Sequence, residues 1–368
     1  MASIYMKKFV LITLVALSLS YANAQTKTQN LIIVTLDGLR WQEVFRGADS
    51  VLVASTFTGD KDGVKKRYWA ATADERRKIL MPFLWSVVSR QGQVYGNRDL
   101  GNKDEVANPY HFSYPGYNEI FTGFPDKRMN TNDPVTNPNM NVLEFINKQK
   151  GYQGKVVAFS SWERFPQILN ASRSGLPVYS GYADVKTKDA NERIKYLNEL
   201  QHNVPHYLGD STRLDFISYE YTKEYIKQYK PRVVYLAFDE TDDMAHEGNY
   251  SFYLDRIKQE DGYIKALWDM VQSDPAYKGK TTLLITCDHG RGEQPIESWR
   301  SHGADVKNSE QTWFAVLGPD TPPTGEVKTA TTTYHKQFAQ TMALLLGFDF
   351  KKAAGHEVGD AIMSVIKK

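Results

Sequence analysis

The chain has 368 residues, of which 41% are hydrophobic and 24% are charged, and its formal net charge is +2. A net charge this close to zero gives no sign of a nucleic-acid-binding surface or of a polybasic membrane patch. The only cysteine is Cys287, which excludes a disulfide within the chain. The composition is that of a globular protein with a large core.

The first residues have the pattern of a signal peptide. Lys7 and Lys8 precede an apolar run, and Ala22-Asn23-Ala24 has the small residues that a signal peptidase recognises. The run is shorter than the roughly 20 residues that a membrane-spanning helix needs. We therefore predict a cleaved signal peptide over residues 1–24, no membrane span in the mature chain, and a periplasmic or secreted location. An uncleaved N-terminal anchor is the alternative.

Five short apolar runs predict buried strands, because β-branched residues that are apolar on both faces are typical of strands covered on both sides. In chain order the runs are Leu31–Leu36, Lys155–Phe159, Val233–Phe238, Thr281–Thr286 and Trp313–Leu317.

Helical periodicity separates or follows these runs. Ile257, Ile264 and Val271 recur at helical spacing between two predicted strands, and Phe338 and Met342 do so near the C-terminus. Alternating strands and helices predict an α/β fold with a central, mainly parallel sheet and helices on both faces.

The sequence also indicates how the chain is divided into domains. We expect a single catalytic domain over residues 25–368, without internal repeats. Residues 47–110 and 124–230 are rich in charged and turn-forming residues, and we expect them to be cap insertions that cover the strand ends and shape the pocket.

Residue types that commonly bind metals follow several of the predicted strands. Asp37 and Asp288 stand directly after strands, where ligands bind in parallel sheets. Asp242 and His246 are four apart, which on a helix places both on one side. Three carboxylates and three imidazoles without a thiolate suit catalytic zinc, and they suffice for two divalent ions. The residues in question are Asp37, Asp242, His246, Asp288, His289 and His302.

The motifs around these residues resemble the alkaline phosphatase superfamily, in particular its nucleotide pyrophosphatase/phosphodiesterase branch. VTLDGLR resembles that branch's Asp-Gly after the first strand, and residues 113–123 (SYPGYNEIFTG) resemble its nucleophile motif. Residues 239–246 (DETDDMAH) and the CDHG sequence around Asp288 resemble two further motifs.

This resemblance implies roles for individual residues. One metal would be held by Asp242, His246 and His302. The other would be held by Asp37, Asp288 and His289, with the oxygen of Ser113 as an additional ligand. Ser113 would be the metal-activated nucleophile that forms a phosphoseryl intermediate. Asp239 would support the ligands without binding metal, and Asp243 would be solvated or a local cap.

The resemblance also bears on the substrate contacts. Gly116 stands where that branch has a phosphate-contacting Asn, so another group must supply this contact. The candidates are Tyr114, through its backbone N–H, Asn118, Trp162 and Arg300, with Arg40 and Lys103 as further alternatives.

We therefore expect a metal-dependent hydrolase of small-molecule phosphate esters, of the phosphodiesterase type. The alternatives are a phosphomonoesterase, a sulfatase-like hydrolase, an enzyme like phosphoglycerate mutase, and a secreted binding protein without activity. Tyr117 stands where the sulfatase modification motif has Arg, and the three imidazoles differ from the calcium ligands of sulfatases, which counts against the sulfatase reading. The sequence leaves the oligomeric state open.

Overall fold

The computed structural model describes residues 26–367. The predicted signal peptide, residues 1–24, lies outside this range. No helix within the range is both long enough and apolar enough to cross a membrane.

A sheet of eight strands forms the centre of the molecule. Among the eight, one strand (Phe314–Leu317) runs antiparallel to its neighbours and the others are parallel to one another, so the prediction of a mainly parallel sheet is confirmed. All five predicted strands are present, with bounds that differ by at most one residue. From one edge to the other the strands are β10 (Gly325–Glu326), β2 (Gln93–Tyr95), β9 (Phe314–Leu317), β7 (Thr281–Thr286), β1 (Asn30–Leu36), β6 (Val233–Phe238), β4 (Val156–Ser160) and β5 (Val178–Ser180).

A second, smaller sheet lies outside this one. Its strands, in spatial order, are β11 (Thr332–Tyr334), β3 (Lys103–Glu105) and β8 (Gln311–Thr312).

Helices cover both faces of the central sheet. Alternate strand residues point to opposite faces, so Ile32 and Val34 join one apolar core while Leu31 and Ile33 join the other. The first face carries α1 (Trp41–Arg46), α2 (Ser50–Ala54), α3 (Lys61–Tyr68), α4 (Ala73–Leu80), α5 (Ser89–Gln91), α10 (Glu192–Asn203), α11 (Asp215–Tyr229), α12 (Glu240–His246) and α13 (Tyr250–Ser273). The second face carries α6 (Ser113–Thr122), α7 (Val142–Asn147), α8 (Phe165–Ile168), α9 (Ala171–Ser174) and α14 (Phe338–Leu345).

Both helices predicted from periodicity are present. Ile257, Ile264 and Val271 all lie on the buried side of α13, and Phe338 and Met342 lie on that of α14. One-turn segments complete the secondary structure: a π-helical turn at Leu84–Val88 and 3₁₀ turns at Arg98–Leu100, Ile296–Arg300, His335–Gln337 and Met363–Val365.

The two expected cap insertions need a correction. Residues 47–110 supply β2 to the central sheet, and residues 124–230 supply β4 and β5. Each region therefore contributes strands to the central sheet in addition to loops. The loops that join its short elements account for its polar composition. The segment between Gly123 and Val142, which contains no helix or strand, passes over the N-terminus of α6, where Asn132 meets Tyr114.

Candidate metal centre and nucleophile

Strand register brings three aspartates to one edge of the sheet. β1 lies between β6 and β7, with Leu36 level with Phe238 and Thr35 level with Thr286. Continuing both registers places Asp37 beside Asp239 and Asp288. The parallel pairing therefore brings the ends of these strands to one edge of the sheet, where ligands bind in such folds.

Gly38 allows the segments behind Asp37 to approach closely. Its φ is +58°, and a Cβ at this position would lie 2.7 Å from Oδ1 of Asp242 and 2.9 Å from Nε of Arg291. Its backbone N–H donates to Oδ1 of Asp288 at 3.1 Å. A side chain on residue 38 would therefore push apart the segments that carry the candidate ligands.

The first group of candidate ligands lies around Nε2 of His289. Oδ1 of Asp37 is 3.4 Å from this atom and Oδ2 of Asp288 is 3.5 Å from it. All three side chains are buried. Neither of these two carboxylate oxygens has a hydrogen-bond partner within the described part of the chain.

The second group is centred on Asp242, which shares a helix with His246. Nε2 of His246 is 3.1 Å from Oδ2 of Asp242 and 3.0 Å from Nε2 of His302. Nε2 of His302 is 3.7 Å from Oδ1 of Asp242, and its ring stacks on His289.

His289 lies between the two groups. Its Nε2 is 3.9 Å from Oδ1 of Asp242, so Asp242, His289 and His302 also form a compact set of possible ligands. The structure thus brings all six predicted ligand residues together, and the grouping around Asp242 can be completed by either His246 or His289.

These separations suit a cation. A tetrahedral ion with ligands at about 2.1 Å would hold its ligand atoms about 3.4 Å apart. Burial and the neighbouring carboxylate of Asp37 raise the pKa of Asp288 to about 8. Burial opposes protonation of His289, but Asp288 and Asp37 outweigh it and raise the pKa of its imidazole to about 9. A positive charge is therefore favoured at the centre of this group, and its ligand types fit a divalent ion.

Ser113 is the first residue of α6, and its Oγ is 3.4 Å from Nε2 of His289. The residue before the helix, Phe112, provides no side-chain cap. The helix N-terminus is therefore directed towards the metal-ligand group and can stabilise an anion there.

Two aspartates near the ligands differ in their surroundings. Burial and the carboxylate of Asp243 raise the pKa of Asp239 well above its usual value. Asp243 was expected to be solvated or a local cap. It is instead largely enclosed, its Oδ2 has no hydrogen-bond partner among residues 26–367, and burial together with Asp215 raises its pKa to about 7.

Two helices cap each other through a pair of acids that the sequence alone does not indicate. The carboxylate of Asp215 accepts the backbone N–H groups of Asp239 and Glu240, each at 2.9 Å, at the start of α12. Glu240 in turn accepts the backbone N–H of Asp215 at 2.8 Å, at the start of α11. Because α12 carries Asp242 and His246, this pair fixes where both ligands lie. The two acids are 25 residues apart in sequence, and no local motif indicates their contact.

Two further missed residues contact the ligands directly. The buried guanidinium of Arg291 contacts the carboxylate of Asp242 and donates to the backbone oxygen of Gly38 at 3.1 Å. The hydroxyl of Tyr117 donates to Oδ2 of Asp37 at 2.8 Å. Arg291 lies two residues after His289, and Tyr117 lies four residues after Ser113. This proximity in sequence to the recognised motifs was the only signal that could have identified them.

The predicted substrate contacts lie in different places. The Tyr114 N–H donates to Oδ1 of Asn132 at 3.0 Å. Asn118 is fully buried and donates to the backbone oxygen of Phe124 at 2.8 Å, while its own Oδ1 accepts from Asn137, which leaves it no free group for a substrate.

The other candidate contacts are at the surface or committed elsewhere. Trp162 is half-buried just after β4, at the same edge of the sheet as Asp37. Arg300 donates to the backbone oxygen of His246 at 2.9 Å. Arg40 is buried in an ion pair with Glu43, and Lys103 is exposed on β3.

Comparison with known families supports the interpretation of these motifs. Residues 211–312 match the family model described as the Metalloenzyme superfamily. The match includes Asp242, His246, Asp288, His289 and His302. No curated protein matches the chain in sequence.

Solved structures with a similar fold include three kinds of enzyme. A 2-O GAG sulfatase has a TM-score of 0.56 and 13% identity, covering 93% of this chain and 75% of that one. The alkaline phosphatase PafA has a TM-score of 0.54 and 11% identity, covering 93% of this chain and 99% of that one. The lipoteichoic acid synthase LtaP from Listeria monocytogenes has a TM-score of 0.56 and 13% identity, covering 94% of this chain and 77% of that one.

Residues 211–312 thus resemble the Metalloenzyme superfamily in sequence, and the described chain shares its fold with enzymes that include an alkaline phosphatase, so the predicted resemblance is confirmed at the level of the superfamily. Identities this low show the fold alone. They do not confirm the nucleotide pyrophosphatase/phosphodiesterase branch, and they do not separate phosphate from sulfate esters, because enzymes named for both are among the similar structures.

The first prediction concerns the close contact between α6 and the turn after β7. A Cβ on Gly116 would lie 2.4 Å from the backbone oxygen of Asp288, so we expect Gly116→Ala to displace Asp288 or α6. Metal affinity and turnover should both fall at least tenfold. Gly262→Ala is the matched control, because nothing lies within 4 Å of its added Cβ. Unchanged metal affinity in Gly116→Ala would contradict the predicted packing.

The second prediction concerns the cap on α12. Asp215→Asn replaces one of the two accepting oxygens with an NH₂ group, so one backbone N–H at the start of α12 loses its partner. Residues that support metal ligands typically change affinity by about 10- to 100-fold when altered, and we expect a loss in this range by competition with a zinc chelator. The exposed Asp269→Asn makes the same charge change elsewhere and should have no effect. Equal affinities in the two variants would show that the cap does not position the ligands.

Proposed function

We propose that this chain is a two-metal hydrolase of phosphate esters in which Ser113 is the nucleophile. The observation that carries the proposal is the position of the Ser113 Oγ. It lies at the N-terminus of α6 and 3.4 Å from His289, beside six metal-binding side chains.

The metal sites we propose follow the two groups described above. Asp37, Asp288 and His289 would hold one ion with the oxygen of Ser113, and Asp242, His246 and His302 would hold the other. Carboxylates and imidazoles together favour zinc. When bound, the ions would lower the pKa of the serine hydroxyl and stabilise the charge of the leaving oxygen.

The residues of the chain would bind the substrate and form the covalent intermediate. The Ser113 Oγ would attack phosphorus while the bond from phosphorus to the leaving alcohol breaks. This gives a phosphoserine ester, and water then cleaves its Oγ–P bond and regenerates the serine. The positive end of the α6 dipole would stabilise the negative phosphoryl oxygens throughout.

Asn132 is the residue we propose for the missing phosphate contact. Its carboxamide already bonds to the Tyr114 N–H, at the helix end where a phosphoryl oxygen would lie. Nε of Arg164 donates to the Asn132 backbone oxygen at 3.0 Å, which ties this loop to the segment after β4. Because the Tyr114 N–H holds Oδ1 of this amide, its Nδ2 group would donate to a phosphoryl oxygen at the helix end.

Charge near Ser113 supports a diester over a monoester. Arg164 is linked to the Tyr114 N–H through Asn132, but its guanidinium is paired with the carboxylate of Glu163. A dianionic monoester would need an uncompensated positive charge, whereas a monoanionic diester would not. Trp162, next to this pair, offers an apolar surface for a second substituent. The substrate we propose is a small phosphodiester.

Sulfate ester hydrolysis is the alternative. Tyr117, which stands in place of the arginine in the sulfatase motif, has its hydroxyl on Asp37. This contact, together with three imidazoles among the candidate ligands, supports phosphate over sulfate. Export to the periplasm or the cell exterior belongs to the same proposal and depends on the signal peptide predicted over residues 1–24.

The third prediction tests the nucleophile. Purified protein loaded with zinc should hydrolyse bis-p-nitrophenyl phosphate with a higher kcat/KM than p-nitrophenyl phosphate, and p-nitrophenyl sulfate more slowly still. Ser113→Ala should abolish turnover because it removes the oxygen that we propose attacks phosphorus. Its metal content should remain close to that of the wild type.

Four outcomes of these measurements would contradict the proposal or part of it. A strong preference for the sulfate ester would favour the sulfatase reading, and a strong preference for the monoester would reverse the choice of diester. No turnover of any ester with metal bound would favour a binding protein. Loss of metal in Ser113→Ala would mean that this serine mainly supports the metal site.

The fourth prediction tests Asn132 with the preferred ester. A hydrogen bond to a charged group contributes about 1.5–3 kcal/mol, so Asn132→Ala should lower kcat/KM by roughly 10- to 100-fold. Asp133→Ala, an exposed neighbour in the same loop, is the control and should retain activity. Wild-type kcat/KM in Asn132→Ala would exclude Asn132 from the phosphate contacts.

A further inference from the structure

A polar cavity of about 270 Å³ lies beside the candidate metal centre. One wall comes from residues 40–52, which follow Asp37, and another comes from residues 293–299, between His289 and His302. None of the six candidate metal ligands lines it. The cavity is therefore distinct from the site of ester hydrolysis, although the same chain segments form both.

Two buried side chains on these walls lack hydrogen-bond partners. Both polar atoms of the Gln42 amide are unpartnered within residues 26–367, and the side chain is only 2% exposed. The indole N–H of Trp299, which is fully buried, is also unpartnered in this range. An unpartnered buried polar group destabilises a folded protein, so two such side chains on one cavity require an explanation.

The arginines around the cavity already have partners. Arg40 is paired with Glu43, and Arg46 is paired with Asp99. Arg76 donates to the backbone oxygens of Arg46 and Ala70 and stacks on Trp69. An anion would therefore compete with existing acceptors, which favours an uncharged ligand.

The remaining free groups match the chemistry of hydroxyl groups. The Gln42 amide can both donate and accept, and the Trp299 N–H can donate. A hydroxyl does both, so a polyol could satisfy all three unpartnered atoms. The volume is just below the roughly 300 Å³ at which pockets for drug-sized ligands begin, which suits one small ring.

We propose that this cavity binds a neutral, hydroxyl-rich molecule the size of a monosaccharide, through Gln42 and Trp299. The proposal is independent of the reaction at Ser113, since no residue of that site contributes to it. Its ligand would contact the segment that leads to His302, and so bind close to the metal centre without joining it.

Calorimetric titration of the full-length protein with D-glucose, D-galactose, N-acetyl-D-glucosamine and glycerol tests the proposal, with sulfate as the anionic comparison. We expect saturable binding of at least one sugar, quenching or enhancement of tryptophan fluorescence, and no binding of sulfate at this site. Gln42→Leu should weaken sugar binding at least tenfold without lowering the unfolding temperature. Gln167→Leu is the control, and this variant should bind sugar like the wild type. Gln167 also has an unpartnered Oε1 but lies outside the cavity.

Trp299→Phe provides a second variant, because it keeps an aromatic ring but removes the N–H. It should also weaken sugar binding. Failure of every sugar to bind at millimolar concentration would overturn the proposal and indicate a cavity filled by water only. Sugar binding that is unchanged in both Gln42→Leu and Trp299→Phe would place the sugar elsewhere. Preferential binding of sulfate that Gln42→Leu weakens would reverse the assignment of an uncharged ligand, whereas sulfate bound at the metal centre would be unaffected by this substitution.

Discussion

Two buried carboxylates at adjacent strand ends, those of Asp37 and Asp288, set the main constraint on this protein. Parallel pairing of β1 with β7 brings these two carboxylates to the same level. Each has an oxygen 3.4 or 3.5 Å from Nε2 of His289, which is about the separation between two ligand atoms of one metal ion. Burial and the repulsion between these like charges raise the pKa of Asp288, and a cation between the two carboxylates would relieve the repulsion. The sheet therefore creates a place where a bound cation stabilises the fold as well as the reaction.

Other features around the centre can be understood as consequences of this constraint. Glycines at residues 38 and 116 let the backbone approach the carboxylates closely, because a Cβ at either position would overlap a neighbouring atom. Asp215 and Glu240 fix the helix that carries Asp242 and His246. The N-terminus of α6 carries the positive end of the helix dipole and can stabilise an anion. Ser113 lies at this helix end and beside the candidate metal ligands, so its hydroxyl lies between a site that favours an anion and a site that favours cations.

The sequence predicted the scaffold, and it singled out candidate ligands that the structure brings together, because both depend on local patterns. Apolar runs of five or six residues determine buried strands, and an aspartate after such a run has a defined place in a parallel sheet. The spacing of Asp242 and His246 predicts one helix face without further information. The regions expected to be caps also supply strands to the central sheet: β4 was predicted as a strand, whereas β2 and β5, with three residues each, are too short to be recognised from the sequence.

The missed residues depend on contacts between distant segments. Asp215 meets Glu240 through tertiary packing, and Asn132 reaches Tyr114 from a loop without regular structure. Neither contact has a periodicity or a motif that a single sequence could show. Asn118 was considered instead because it lies near Ser113 in sequence, but on α6 its side chain is buried under the helix.

Anomalous diffraction at the zinc absorption edge, from crystals of the zinc-loaded protein, tests the central claim most directly. The account predicts two peaks roughly 4 Å apart, one bound by Asp37, Asp288 and His289 and the other by Asp242, His246 and His302, with the Ser113 Oγ beside the first. A single peak, or two peaks of which neither is bound by Asp37 and Asp288, would contradict it.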